Sequence, residues 1–214
     1  MTSPWILFKQ SINLFLANFK YLLKFWLVNI SLMILALTPF SAFFIKNPLA
    51  MILGFVGILV YILMTFTLSA SSLVQAKSIL DKKTLNLKEL LRQGWKLIGP
   101  LFITGLLTTL AVLGGFFLFI IPGLIFSLWF SFTNQVVVME NISGIPALSR
   151  SRQLVKGRFW QATWYLVFPG LLLFCLFLVT FRISSFKILY SLISIPFGII
   201  SLIYSFLVYK EFAK

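Results

Sequence analysis

The chain of 214 residues has no histidine, one cysteine and only four carboxylates, Asp81, Glu89, Glu140 and Glu211. Without histidine, a nucleophile–base–acid triad would have to take its base from lysine or one of those few acids. Cys/His metal sites are excluded and clustered carboxylates are missing, so no metal and no cofactor is expected. Cys175 has no partner for an internal disulfide and reads as a small hydrophobe inside an apolar run. Asp81 and Glu89 lie among Lys82, Lys83 and Lys88, the pattern of a solvated loop with local ion pairs. Gly94–Gly99 lacks the Lys-Ser/Thr that would complete a phosphate-cradling loop. An enzyme is not expected.

Charge of either sign is also scarce, at 10% of residues, whereas 60% are hydrophobic and mean hydropathy is +1.04. A soluble domain carries about 25% charged residues, so this chain has too little polar surface to cover a globule in water. The composition reads as an all-α polytopic membrane protein forming a single integral domain over 1–214. Uncharged runs of about 20 residues, the length that crosses the hydrocarbon core, place six transmembrane helices near 25–45, 49–72, 98–118, 122–140, 160–181 and 188–209. The run from Ile98 to Met139 is divided at Gly114-Gly115 and Ile121-Pro122-Gly123. Each span must be helical because backbone groups in lipid bond within their own segment.

Six spans put both ends of the chain on one side. Of the 18 Lys and Arg residues, all but Lys46, Arg182 and Lys187 fall on that side, which the positive-inside rule makes cytoplasmic. The expected location is a bacterial inner membrane. No small-residue cleavage site follows the first apolar run, so no cleavable signal peptide is expected. The net charge of +14 suits anionic lipid better than nucleic acid, because the cations sit in short blocks beside apolar runs. No nucleic-acid partner is expected.

Three basic segments precede the odd-numbered spans: Phe8-Lys-Gln-Ser11-Ile12-Asn-Leu14-Phe15, Leu91-Arg-Gln-Gly94-Trp95-Lys-Leu97-Ile98 and Leu148-Ser-Arg-Ser151-Arg152-Gln-Leu154-Val155. All follow apolar–x–polar–small–x–polar–apolar–apolar, and they suggest an interfacial helix plus a transmembrane hairpin, repeated three times. A fainter echo, Phe66-Thr-Leu, Phe130-Ser-Phe and Tyr204-Ser-Phe, falls late in spans two, four and six. The basic amphipathic helices are expected near 4–20, 86–97 and 145–158. Ser3-Pro4, Asn86 with Glu89, and Ser143 or Gly144 before Pro146 supply start signals. Trp5, Phe8, Ile12, Phe15 and Phe19 share one helical face, suited either to the headgroup region or to the protein's own bundle.

In the third segment Arg152 takes the place of Ile12 and Trp95 on a face with Leu148, Val155 and Phe159. A cation there needs a partner, and the expectation is an ion pair between Glu140 and Arg152, with Arg150 the alternative partner. Arg150, Arg152, Lys156 and Arg158 together form the candidate site for an anionic lipid headgroup, although simple topological anchoring explains the same cluster. Thr133, Asn134, Gln135 and Gln75 collect towards the ends of spans two and four. They read most simply as interhelical hydrogen-bonders, and alternatively as the floor of a vestibule.

From Gly114 to Trp164 the chain resembles a known family. The residues that carry the likeness are Ile121-Pro122-Gly123, Val136 to Glu140, Ala147-Leu148, Ser151 to Leu154 and Gly157 to Trp160. They are similar to the glycerophosphoryl diester phosphodiesterase membrane-domain family and its bacterial relatives of similar size. Fused members of that family carry a separate catalytic domain, for which this chain has no room, so the resemblance implies a membrane domain and no activity. The expected role is non-enzymatic: organising anionic lipid or a membrane protein partner, as a scaffold or envelope-assembly factor. The competing reading is a small permease or lipid-handling transporter.

Overall fold

A computed structural model describes residues 2–37, 48–181 and 187–214 of the chain. Residues 38–45 of the first expected span, together with Lys46 and Arg182, lie outside the described residues. Within the described residues the ordered elements are α-helices, and there is no strand. In chain order they are α1 (Pro4–Ala17), α2 (Phe19–Leu37), α3 (Pro48–Leu80), α4 (Leu87–Leu118), α5 (Ile120–Trp129), α6 (Thr133–Glu140), α7 (Ile145–Val155), α8 (Phe159–Phe181) and α9 (Lys187–Phe212). Three stretches among them, Gly54–Leu80, Leu87–Leu118 and Ile120–Glu140, are long and apolar enough to cross a membrane. Large hydrophobic side chains on these stretches, such as Phe55, Leu59, Leu106 and Leu110, face outward, as lipid-facing helices require. These are the features of a membrane protein.

The helices group into two compact units, one comprising Met1–Ala17 with Gly99–Lys214 and the other Asn18–Ile98. In the first, α1 lies on α8 and α9, α8 packs on α9, and α7 sits against α5 and α6. Its core is built from fully buried Phe132, Val136, Val155, Ala162, Ile203 and Phe206. The second unit packs α2 on α3 and buries Phe25, Val74 and Leu90 together, with Tyr21, Leu85 and Leu97 around them.

Three local features depart from what the sequence suggests. The segments expected at 86–97 and 98–118 form one uninterrupted helix, α4, with Pro100 inside it. Proline removes one helical donor, and Thr104 Oγ1 bonds the Pro100 carbonyl at 2.6 Å one turn further on. The expected division between spans three and four falls at Phe119, whose extended backbone separates α4 from α5. There Gly115 and Gly123 let the two helices touch, since a Cβ on Gly115 would stand 3.0 Å from the Gly123 Cα. Finally, span four is itself interrupted: α5 stops at Trp129 and α6 starts at Thr133, without any glycine or proline to mark the break.

Candidate functional site

The third basic segment begins where α6 ends. Asn141 closes α6 in the left-handed region at φ 56, a conformation asparagine tolerates better than most residues. Gly144 follows at φ 70 and precedes α7; its N–H donates to Thr104 Oγ1 at 2.7 Å. The chain is thereby turned so that α7 lies against α5 and α6.

Three successive residues of α7 then make three different contacts. Arg150 Nε donates to both oxygens of Glu140, at 3.0 and 3.1 Å, and Tyr209 from α9 donates its hydroxyl to Glu140 Oε1 at 2.6 Å. Ser151 is fully buried; its hydroxyl donates to the Trp129 carbonyl at 2.7 Å and accepts from the Phe132 N–H at 3.2 Å. The Arg152 guanidinium lies over the Trp129 ring, 4.2 Å from its centre, a contact favourable by about 0.5–1 kcal/mol at an exposed position.

The ion pair expected between Glu140 and Arg152 is therefore replaced by one between Glu140 and Arg150. Residues two apart on a helix point roughly 200° away from each other, so only one of these two arginines can face Glu140. Ser151 between them points at the α5–α6 break. Arg152 places its cation on an indole face instead of a carboxylate.

The four-cation cluster is also divided. α7 ends at Val155 and Gly157 turns the chain at φ 81. Lys156 and Arg158, both exposed, belong to this turn, whereas Arg150 and Arg152 belong to the helix. Two of the four candidate headgroup ligands thus have partners within the protein.

The corresponding small positions of the other two segments are equally crowded. Ser11 is fully buried on α1, beside Phe8, whose ring meets Phe168 at 5.8 Å, Phe197 at 5.8 Å and Tyr204 at 6.1 Å. Gly94 presses on α3: a Cβ there would stand 2.1 Å from Ser71 Oγ and 2.9 Å from the Ser71 nitrogen.

Of the polar residues expected near the ends of spans two and four, Gln135 donates to Ser205 Oγ at 3.1 Å and Gln75 to the Tyr21 carbonyl at 3.5 Å. Thr133 bonds the Phe130 carbonyl within its own turn, and Asn134 is exposed. These contacts fit interhelical and local hydrogen bonding. Tyr209, Trp129 and Thr104 are the residues that sequence reasoning missed, because each acts through a neighbour far along the chain.

A second polar contact joins α9 to the residue stretch before α1. The Lys214 ammonium, 2.9 Å from the Glu211 carboxylate, and the Thr2 N–H at 3.1 Å hold Glu211 below the usual carboxylate range. Tyr165 donates its hydroxyl to the Thr2 carbonyl on the same stretch. A carboxylate with a lowered pKa adds stability that is complete above its unfolded value, about 4.3 for glutamate, and is lost as pH falls through the lower folded value. Thermal melts taken at successively more acid pH should thus lose stability below about pH 4.3 more steeply in the wild type than in Glu211→Gln.

Compared with known proteins, the chain matches no family model, no curated protein and no solved structure.

Proposed function

We propose that this is a non-enzymatic inner-membrane protein of six transmembrane helices with both ends in the cytoplasm, which gathers anionic lipid around three basic segments at the cytoplasmic surface and so serves as a scaffold or envelope-assembly factor. A relationship to the glycerophosphoryl diester phosphodiesterase membrane-domain family, on the residues between Gly114 and Trp164, is part of the same proposal. The observation that carries it is the division of labour among the cations. Arg150 and Arg152 are engaged within the protein, by the Glu140 carboxylate and the Trp129 ring respectively. Lys9, Lys88, Arg92, Lys96, Lys156 and Arg158 all face outward. Each such cation near an anionic leaflet contributes about 1 kcal/mol of attraction.

The repeat supports the reading as well. Two basic segments rest on the second span of the unit before them, the start of α4 on α3 through Gly94 and α7 on α5 and α6, and α1 rests on α9, the second span of the third unit. A protein made of three such units presents three cationic segments to one leaflet.

The test is the lipid that leaves the membrane with the protein. Polymer-excised native discs of wild type and of Lys9→Gln/Lys156→Gln/Arg158→Gln are compared for their ratio of phosphatidylglycerol to phosphatidylethanolamine. A lower anionic share in the variant is the expected result. An unchanged share would overturn lipid gathering and leave the cations as topological anchors. In proteoliposomes, fluorescent lipid should cross the bilayer no faster than in empty vesicles; rapid crossing would replace the scaffold with a lipid-handling transporter.

A further inference from the structure

We infer that the groove between α3 and the start of α4 is a binding site for one anionic phospholipid, with an acyl chain lying along α3 from Ser71 towards Val60 and the phosphate held at Arg92. The groove has a volume of about 470 Å³ and is open on one side, within the size range of small-molecule sites. Leu63, Met64 and Thr67 of α3 face Leu91, Arg92 and Trp95 of α4 across it. The α3 residues recur at helical spacing and form one apolar wall. Arg92 is the one charged residue among those around the groove, whose lining surface is almost wholly apolar, so it borders the groove through its aliphatic stem.

Gly94 explains why the groove is there. It brings α4 into contact with α3 at Ser71, and every α3 residue of the groove lies on the Val60 side of that contact. Arg92 and Trp95 flank Gly94, so the cation and the indole stand at one end and the apolar wall runs away from them. The eleven helical rises from Ser71 to Val60 span about 16 Å, close to half of the roughly 30 Å hydrocarbon core. That is the depth of a single acyl chain in one leaflet.

The charge is complementary to a phosphate. Lys88, Arg92 and Lys96 are exposed and recur every four residues, which places them on one side of α4. Trp95, 60% exposed, is an amphipathic ring of the kind that sits at headgroup level. The first basic segment offers a contrast. Phe8, in register with Leu91, fills its surroundings with the rings of Phe168, Phe197 and Tyr204, whereas the smaller Leu91 leaves the space open. The site is distinct from the Lys156–Arg158 turn, and only its assignment to the cytoplasmic leaflet rests on the proposed topology.

The experiment uses the full chain in detergent, titrated with phosphatidylglycerol or phosphatidylcholine and read by native mass spectrometry. The wild type should retain one phosphatidylglycerol with roughly tenfold preference over phosphatidylcholine, the worth of one charge-assisted hydrogen bond. Arg92→Gln should erase the preference, and Leu63→Trp, which fills the groove, should remove the adduct of either lipid. Lys156→Gln/Arg158→Gln should leave this adduct intact. If that variant removes it and the groove variants do not, the lipid belongs at the α7–α8 turn, which overturns the groove while sparing the proposed function.

A second readout follows lipid in the unaltered groove of the wild type and uses a groove variant only as the emission blank. The Trp95 emission, taken as wild type minus Trp95→Phe, is followed as brominated phosphatidylglycerol or brominated phosphatidylcholine is added. Saturable quenching at low mole fraction by the anionic lipid alone is expected. Equal, non-saturating quenching by both lipids would mean annular lipid only and would overturn the site.

Discussion

Replacing Gly94 by valine is expected to lower the melting temperature of the detergent-solubilised protein by roughly 6–12 °C, from a cost of about 3 kcal/mol. The reason is backbone contact. A Cβ at this position meets not only the Ser71 hydroxyl at 2.1 Å, which can rotate away, but also the Ser71 nitrogen at 2.9 Å and Cα at 3.0 Å, which cannot. The start of α4 must then lift off α3, opening the packing of Leu90 on Val74 and Phe25. Gly94→Ala should cost less than valine, and adding Ser71→Ala should recover only the share due to the hydroxyl. Full recovery in Ser71→Ala/Gly94→Ala would show that the backbones are not in contact. Gly99, with nothing within 4 Å of its Cβ position, is the control: Gly99→Ala should not destabilise.

The second large effect is expected at Ser151. Its hydroxyl joins the Trp129 carbonyl to the Phe132 N–H across the gap between α5 and α6. Ser151→Ala leaves the Phe132 N–H without that partner in a fully buried position and the Trp129 carbonyl without it in a half-buried one. At about 1–3 kcal/mol for each unsatisfied group, a loss of about 2–4 kcal/mol follows. Ser149→Ala, two residues away and exposed, should stay within about 0.5 kcal/mol of wild type. Amide exchange separates this from a general loss of stability. The Phe132 amide should exchange faster in Ser151→Ala while amides of α8, such as Ala162, keep their wild-type rates. If protection at Phe132 is unchanged, the serine does not hold the gap.

Both predictions concern a position that the sequence marks. The alignment of Phe8 to Phe15, Leu91 to Ile98 and Leu148 to Val155 puts Ser11, Gly94 and Ser151 in register, and all three are buried where helices crowd. A small residue among larger ones, repeated at the same place, is a packing signal that survives without coordinates. The long apolar helices are legible for a similar reason, since the length of hydrocarbon to be crossed fixes the length of the run.

What the sequence does not disclose depends on distant partners. The break at Phe130–Phe132 contains no glycine or proline; the hydroxyl that compensates it belongs to Ser151, nineteen residues on from Phe132. The choice of Arg150 over Arg152 for Glu140 turns on the angle at which Asn141 and Gly144 deliver α7. Trp129 as the partner of Arg152 follows from the same angle. The continuity of α4 through Pro100 was hidden by the composition shift from basic to apolar, which resembles a boundary but need not be one.

The pairing of α1 with α9 has a consequence for biosynthesis. α1 is made some 190 residues before α9, the helix it touches most extensively. At about 5–20 residues per second, α1 waits on the order of tens of seconds before its partner leaves the ribosome. Throughout that time Phe8 and Phe15, buried in the finished fold, have only the bilayer surface to cover them. An amphipathic segment with Trp5, Ile6, Leu16 and Phe19 still exposed at the end is well suited to that wait. Docking of α1 on α9 therefore waits for α9 to be made, and a ribosome stalled before Lys187 would leave α1 without that partner.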